Sequence, residues 1–327
     1  MTKGKIAKLA LVTTLVMSPV MTVSAEQLQT DLLPIEQEIM NQMEVSELNL
    51  VSEVTDEIGL YDEEAVESQS TAWQSGTPMP TPRYGFGTIV VDEKIYTMGG
   101  ATYKLGPATG VVEVYDPKTD TWTTAAPMFA PKKCFGIVEI NGEIYVFGGG
   151  GNLPTDTVQI YNVEEDVWRL AGPMPEVSYD GRAVVLDDKV YIMDTVRRLF
   201  YEYDPAEDTW TKKSFLSFQL HRHGLIVYNN DIYSIGGLNT AIRDPDTGGH
   251  TQPFYYDDVT KYNVAEDKWE AVPEMDMIFE RLEVDAVEKD GKLYVLDASS
   301  PDYSAEVYDP ETQQWYNLKS MPGTVKR

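Results

Sequence analysis

The sequence predicts an all-β protein in which five four-stranded sheets are arranged as the blades of a propeller. An apolar residue followed by tyrosine recurs five times in the 327-residue chain, at intervals of 49, 46, 42 and 61 residues, at Tyr96, Tyr145, Tyr191, Tyr233 and Tyr294. Each copy also has a Tyr-Asp or Tyr-Asn step, whose Asp or Asn lies six residues before Trp122, Trp168, Trp210, Trp269 or Trp315. Because one small sheet cannot bury both of its faces, such copies must pack on one another.

Each copy reads as four short strands joined by tight turns. A turn-forming pair precedes the marker tyrosine and predicts a hairpin between the first two strands: Asp92-Glu93, Asn141-Gly142, Asp187-Asp188, Asn229-Asn230 or Asp290-Gly291. The Tyr-Asp or Tyr-Asn step ends the third strand, and the tryptophan begins the fourth. Gly-Gly follows the second strand in three copies and allows a sharp change of direction. Asp194-Thr195 and Asp297-Ala298 replace it in copies three and five, where we expect a different connection.

The combination of Gly-Gly, Tyr-Asp and Trp at regular offsets resembles the Kelch repeat. The resemblance covers residues 73 to 322, about three quarters of the chain, and implies a Kelch-type β-propeller. A sixth tryptophan, Trp73, has no recognisable copy before it. We expect five blades plus a surplus N-terminal strand. The alternative is a degenerate sixth blade from residues 30 to 70, in which Leu60-Tyr61-Asp62 echoes a third strand.

The N-terminal residues predict export. Three lysines precede an apolar stretch from Leu9 to Val23, and small residues allow cleavage after Ala25, so residues 1–25 read as a signal peptide. A retained membrane anchor is the alternative reading. Residues 26–72 hold thirteen acidic side chains and no Lys or Arg, which predicts an acidic linker, disordered or partly helical. The propeller is expected over residues 73–327, in a soluble, secreted protein.

Composition excludes several function classes. The formal net charge of −27 argues against nucleic acid or an anionic membrane as a partner. Cys134 is the one cysteine, so the chain can form no internal disulfide, and a small buried side chain is the expected role. The chain contains no nucleophile elbow, phosphate loop or zinc motif. We expect no cofactor and no metal.

The candidate binding face carries the loops after each second strand and the connections between blades. Thirteen residues before each marker tyrosine lie Arg83, Lys132, Ser178, Leu220 and Arg281, beside Lys133, Tyr179, His221 and Arg222. A basic group in so acidic a protein suits carboxylates or acidic sugars. The arginines have an alternative, structural role, which is to bond carbonyls of a neighbouring blade. The resemblance supports the ligand role by analogy only.

Copy four carries an insertion, Leu238 to Asp257, with Tyr255 and Tyr256 as candidate contacts for a sugar ring or a protein surface. These aromatics are equally suited to covering a blade edge, and three aspartates there give a weak indication of calcium.

The predicted function is a secreted binding module for an extracellular or cell-surface protein or glycan. The alternative is a carbohydrate-active propeller enzyme, either an epimerase resembling sialic acid mutarotases or a copper enzyme resembling galactose oxidase. The copper alternative depends on His221 and His223, two apart on one strand.

Overall fold

The computed structural model describes residues 75–318, with gaps at 104–105, 151–154, 217–219, 240–253, 282–283 and 298–304. By internal contacts the chain divides into two units, and the described residues belong to the unit that contains Trp73–Arg327. The predicted signal peptide, the acidic linker and Trp73 lie outside the described residues. None of the helical segments in the described ranges has the length and hydropathy to span a bilayer.

Five antiparallel sheets of four strands confirm the predicted fold class, and each sheet follows chain order from the first strand to the fourth. Blade 1 contains β1 (Gly87–Val91), β2 (Lys94–Met98), β3 (Val112–Asp116) and β4 (Thr121–Ala125). Blade 2 contains β5 (Gly136–Ile140), β6 (Glu143–Phe147), β7 (Val158–Asn162) and β8 (Val167–Leu170). Blade 3 contains β9 (Arg182–Leu186), β10 (Lys189–Asp194), β11 (Leu199–Asp204) and β12 (Thr209–Lys212). Blade 4 contains β13 (Gly224–Tyr228), β14 (Asp231–Asn239), β15 (Phe254–Asn263) and β16 (Lys268–Ala271), and a 3-10 turn follows at Pro273–Met275. Blade 5 contains β17 (Val284–Lys289), β18 (Lys292–Asp297), β19 (Ala305–Asp309) and β20 (Gln314–Asn317).

The hairpin turns have the backbone geometry that their sequences predict. Asp92 and Glu93 have φ of 50° and 63°, and Asn229 and Asn230 have φ of 47° and 63°. Positive φ at both central residues gives a two-residue turn the twist of its flanking strands. The marker tyrosines occupy equivalent register positions, for example Ile89 opposite Tyr96 and Ile226 opposite Tyr233.

Consecutive blades share apolar cores. Ile144, Tyr161 and Trp168 of blade 2 pack against a face of blade 1 that includes Tyr96 and Met98. Equivalent cores join blade 2 to blade 3, blade 3 to blade 4 and blade 4 to blade 5. Burial of this apolar surface is the main force that holds the blades side by side.

Directed hydrogen bonds also link neighbouring blades. The Tyr161 hydroxyl donates to Asp166 Oδ1 at 2.6 Å, and the same carboxylate oxygen accepts the Ala126 backbone N–H at 2.7 Å. The Trp168 indole N–H donates to the Ala126 carbonyl at 2.8 Å. In blade 2, Tyr161, Asp166 and Trp168 therefore clamp the chain segment that leaves blade 1.

Candidate ligand-binding face

Antiparallel order places the segments between blades and the loops after each second strand on one side of the propeller, called here the loop face. The first strand of each blade begins at this face and lies beside the first strand of the next, as β1 beside β5 and β13 beside β17. The other side carries the hairpin turns. All nine residues predicted as ligand contacts lie in segments that belong to the loop face or adjoin it.

Arg83 is buried and bonded within blade 1, contrary to the expectation that it lines an open binding surface. Its side chain is fully buried and forms an ion pair with Glu113 at 2.7 Å. The guanidinium also donates to the carbonyls of Gly99 and Val111 at 3.0 and 2.7 Å. Burial lowers the pKa of Arg83, and the charge of Glu113 and its hydrogen bond oppose that shift. Arg83 thus holds the loop between β2 and β3.

Lys132 and Arg281 occupy the equivalent positions in blades 2 and 5 and are also buried. The Lys132 ammonium donates to the carbonyls of Gly148 and Thr157 at 2.6 and 2.8 Å, and burial lowers its pKa to about 8. Arg281 pairs with Glu306 at 2.5 Å. The expectation that these three cations present charge to a ligand is therefore corrected, since all three are buried and bonded within their own blades.

Blade 3 uses a carboxylate where blades 1, 2 and 4 use glycine. Asp194, in the place of the first glycine of the Gly-Gly pair, accepts the Ser178 hydroxyl at 2.9 Å and the Tyr179 N–H at 2.7 Å. In blades 1 and 2 the second glycine instead donates to the next blade, as Gly100 N–H does to the Lys132 carbonyl at 2.7 Å. The predicted difference in this connection is present, and the missing Gly-Gly was its signal in the sequence.

Left-handed residues at the start of the first strands link the blades through their backbones. Gly85, Cys134, Asp180 and Arg222 have φ of 60°, 53°, 71° and 56°. Cys134 N–H donates to the Gly85 carbonyl and Asp180 N–H to the Cys134 carbonyl, both at 2.8 Å. Burial raises the pKa of the Cys134 thiol to about 11, which disfavours a reactive thiolate. We call these four residues the mouth residues.

The two histidines of blade 4 do not have the arrangement that the copper alternative depends on. His221 and His223 precede β13, which begins at Gly224, so the prediction that they lie on one strand is wrong, and the left-handed Arg222 between them breaks regular strand alternation. His223 is 1% exposed, and neither ring nitrogen has a hydrogen-bond partner among the residues the structure describes. In the described ranges we find no group of three or more His, Cys, Asp or Glu side chains arranged to hold a metal.

An ion pair joins two blades that are not neighbours. Arg182, which begins β9 in blade 3, donates to Asp285 of blade 5 at 2.7 Å, and both side chains are more than one third exposed. The equivalent position in blade 4 is Gly224, which adds no side chain to this pair. Neither residue was predicted, because sequence spacing gives no indication of which blades face each other.

The loop face also exposes large apolar side chains. Tyr103, Phe129, Tyr179, Val196 and Ile278 are 60%, 64%, 40%, 53% and 47% exposed. Each lies in a different loop or connection, and four blades contribute to the set. We call these five residues the apolar set. Tyr179 is the one member of the set that was predicted as a ligand contact.

The remaining predicted contacts lie around this set. Lys133 is half-buried and donates to the Gly106 carbonyl at 3.0 Å, whereas Arg222 is exposed and His221 is half-buried. Tyr255 pairs with Leu238 where the β14–β15 hairpin extends beyond the sheet. Tyr256 is partly buried against the core between blades 3 and 4, which fits the predicted edge-covering alternative. Most of the insertion, including Asp244 and Asp246 among the three aspartates considered for calcium, lies outside the described residues, whereas Asp257, the third, lies in β15.

Comparison with known proteins agrees with this architecture. A family model described as the attractin/LZTR1 β-propeller matches residues 51–297, and a Kelch-motif model matches residues 281–322. The solved structure titled "Structure of YjhT" aligns with a TM-score of 0.62 at 14% identity, over 77% of this chain and 89% of that chain. At this identity the likeness shows a shared fold alone.

Three curated relatives are similar over part of their length. Kelch-like protein 11 of Homo sapiens is 30% identical over 156 residues, which is 44% of this chain and 20% of that protein. Kelch-like protein 23 of Homo sapiens is 26% identical over 224 residues, 67% of this chain and 37% of that protein. The N-(sulfonatooxy)prop-2-enimidothioate sulfolyase of Thlaspi arvense is 26% identical over 177 residues, 46% of this chain and 49% of the enzyme.

The chain thus spans between a fifth and a half of the length of these relatives. The propeller model, in contrast, matches about three quarters of this chain, including blades 1 to 4 and the first two strands of blade 5. The chain therefore belongs to the attractin/LZTR1 β-propeller family of Kelch-repeat proteins.

Proposed function

We propose that this protein is an exported binding module that recognises an extracellular or cell-surface protein or glycan through the loop face. The observation that carries the proposal is the apolar set, because large apolar side chains from five separate segments share one face. Aromatic anchors with polar surroundings are typical of protein interfaces. Membership of a Kelch-repeat family favours a protein-binding role, and the leader-like sequence of residues 1–25 supports export.

Charge around the apolar set favours a partner with anionic groups. Arg197, Arg198 and Arg222 are exposed at this face, although the whole chain carries a net charge of −27. The Arg198 guanidinium lies 5.4 Å from the centre of the Phe215 ring, which favours one orientation of the side chain. Planar guanidinium groups next to aromatic rings suit carboxylates on a protein or on an acidic sugar.

The proposal is tested by probing arrays of extracellular proteins and glycans with the full chain, then with Phe129→Ala and Tyr179→Ala. Each variant is expected to lose binding about tenfold or more, as truncation of an interface anchor does. Leu170→Ala and Tyr316→Ala remove side chains that are exposed on outer strands and are the matched controls. Unchanged binding by both loop-face variants, or the absence of any bound protein or glycan, contradicts the proposal.

A carbohydrate-active or other enzyme is the second candidate, and the similarity to a relative named as a sulfolyase favours it. The half-exposed Arg182–Asp285 pair offers both a cation and a carboxylate to a small molecule. Turnover of a sugar or sulfated substrate that Arg182→Met abolishes, with no stable complex on either array, would establish this candidate instead.

A further inference from the structure

A buried imidazole without a hydrogen-bond partner lies at the start of blade 4. His223 is 1% exposed, and neither of its ring nitrogens is bonded to another residue that the structure describes. Burial of a polar group in this state costs free energy, and most buried polar side chains in folded proteins are therefore bonded. Packing alone does not explain why this position carries a histidine.

Two other blades have an apolar side chain at the position of His223. The equivalent residues are Phe135 in blade 2 and Val284 in blade 5. Phe135 packs against Gly87, and a Cβ added to Gly224 would lie 2.9 Å from Val284. Both glycines begin the first strand of the preceding blade. An apolar side chain therefore fits this position, and in these two blades it lies against a residue without a side chain.

The residue that takes the place of these glycines in blade 3 is Arg182, which begins β9. Burial, and then the charge of Arg182, lower the pKa of His223, so the two side chains are close. Arg182 Nη1 also donates to Asp285 Oδ1 of blade 5 at 2.7 Å, and the two side chains are 39% and 38% exposed. An ion pair with this exposure stabilises a fold little, so a ligand can bridge it at small cost.

The backbone before His223 is held on two sides. His221 N–H donates to the Leu238 carbonyl at 2.8 Å, and Leu238 N–H donates to the His221 carbonyl at 2.9 Å. On the other side, Val284 N–H donates to the Arg222 carbonyl at 2.9 Å. These bonds connect the segment to the second strand of its own blade and to the first strand of blade 5. The position of the imidazole is therefore fixed before a ligand binds, which lowers the entropic cost of binding.

The three side chains define the chemistry of the ligand. The planar guanidinium of Arg182 fits a carboxylate. Because burial lowers the pKa of His223 to about 3, its imidazole is uncharged at neutral pH, and it can donate one hydrogen bond and accept another. The Asp285 carboxylate only accepts, so it requires a donor on the ligand. Since Arg182 and Asp285 are in direct contact, the carboxylate and the donor must be close together on the ligand.

We propose that Arg182, His223 and Asp285 form a binding site, at the centre of the loop face, for a small carboxylate with a hydroxyl or amino group on the adjacent carbon. The ligand carboxylate accepts hydrogen bonds from Arg182 and His223, and the hydroxyl or amino group donates to Asp285. This site contains no member of the apolar set. It therefore goes beyond the proposed recognition of a protein or glycan, and each proposal can fail without the other.

Nuclear magnetic resonance of the full chain, labelled isotopically at histidine, tests the proposal. The chain has three histidines, and the imidazole signal that is missing in His223→Phe belongs to His223. Lactate, alanine or both are expected to shift this signal along a saturating titration curve. Propionate lacks the donor and lactamide lacks the charge, so these two controls are expected to bind about tenfold or more weakly.

The four probes also distinguish the two ligand classes. A response to lactate alone identifies a hydroxy acid, and a response to alanine alone identifies an amino acid. The absence of a saturating response to both, or equal responses to all four probes, overturns the proposal. Failure of the protein and glycan arrays leaves these outcomes unchanged, because the probes do not contact the apolar set.

Two variants test the location of the site, with binding read from the signals of the probe. Arg182→Met is expected to weaken binding about tenfold or more, whereas Arg169→Met, at an exposed ion pair on an outer strand of blade 2, is expected to leave it unchanged. His223→Phe introduces the ring that blade 2 has at Phe135. It is expected to lose binding and to unfold at the same or a higher concentration of urea than the wild type. A clear loss of stability in His223→Phe, or equal binding by the two arginine variants, refutes the proposal.

Discussion

Acid sensitivity at His223 is the sharpest quantitative expectation from this structure. The side chain is 1% exposed, and its pKa is lowered from 6.5 to about 3, first by burial and then by the charges of Arg182 and His221. Between these two values the unfolded chain binds the proton and the folded chain does not. Folding stability is therefore fully present above pH 6.5 and is lost as pH falls toward 3.

The magnitude follows from the width of that window. One pKa unit corresponds to about 1.4 kcal/mol, so lowering the pH from about 7.5 to about 5 crosses about 1.5 units and removes about 2 kcal/mol of unfolding free energy. Replacing the imidazole by an apolar side chain of similar size, as in His223→Leu, removes this contribution. The variant is expected to lose about 2 kcal/mol less than the wild type over the same change of pH.

Urea denaturation of both proteins at the two pH values measures the difference. Comparing pH dependences, rather than absolute stabilities, cancels the titration of the many carboxylates that the two proteins share. His221→Leu shows how far the loss of any imidazole in this segment changes the pH dependence. If the wild type and His223→Leu lose equal stability between about pH 7.5 and about pH 5, the argument from burial is refuted.

Two further expectations concern the loops that the buried cations and glycines support. Arg83→Met leaves Glu113 buried without its partner and is expected to lower the free energy of unfolding in urea by about 3 to 5 kcal/mol. Arg169→Met, at an exposed ion pair, is expected to lower it by at most about 1 kcal/mol. Equal losses would contradict the structural role of the buried pair. Gly99→Ala sets a new Cβ 2.4 Å from a backbone carbonyl of blade 2 at φ of +62°, whereas Gly142→Ala meets nothing within 4 Å at φ of +81°. Gly99→Ala is expected to lower the midpoint of thermal unfolding clearly more than Gly142→Ala does. Equal shifts would contradict the close packing of Gly99 against blade 2.

The blades were predictable because their signals are local. A turn-forming pair, a tyrosine step and a tryptophan at fixed offsets determine one sheet each. The same tyrosine and tryptophan contact the preceding blade, so stacking follows from the same residues. The different connection of blade 3 was predictable as well, since Asp194 stands in the place of a glycine.

The site was less predictable, because burial of a loop cation depends on contacts that are distant in sequence. Arg83 is bonded by Glu113, thirty residues away, and no spacing rule connects the two. The left-handed backbone at Arg222 was equally hidden, because an arginine gives no indication of positive φ, and the predicted alternation of His221 and His223 failed for that reason. Exposure of Phe129 and Ile278 depends on how neighbouring loops fold around them.

The mouth residues have a consequence for how freely this protein can change. At Cys134 and Asp180 the connection between neighbouring blades runs from amide to carbonyl, and side chains take no part in it. The side chains at the four equivalent positions are a hydrogen atom, a thiol, a carboxylate and a guanidinium. The backbone is left-handed at all four. Substitutions at these positions can therefore change the side chains displayed at the centre of the ring without breaking the backbone hydrogen bonds between the blades.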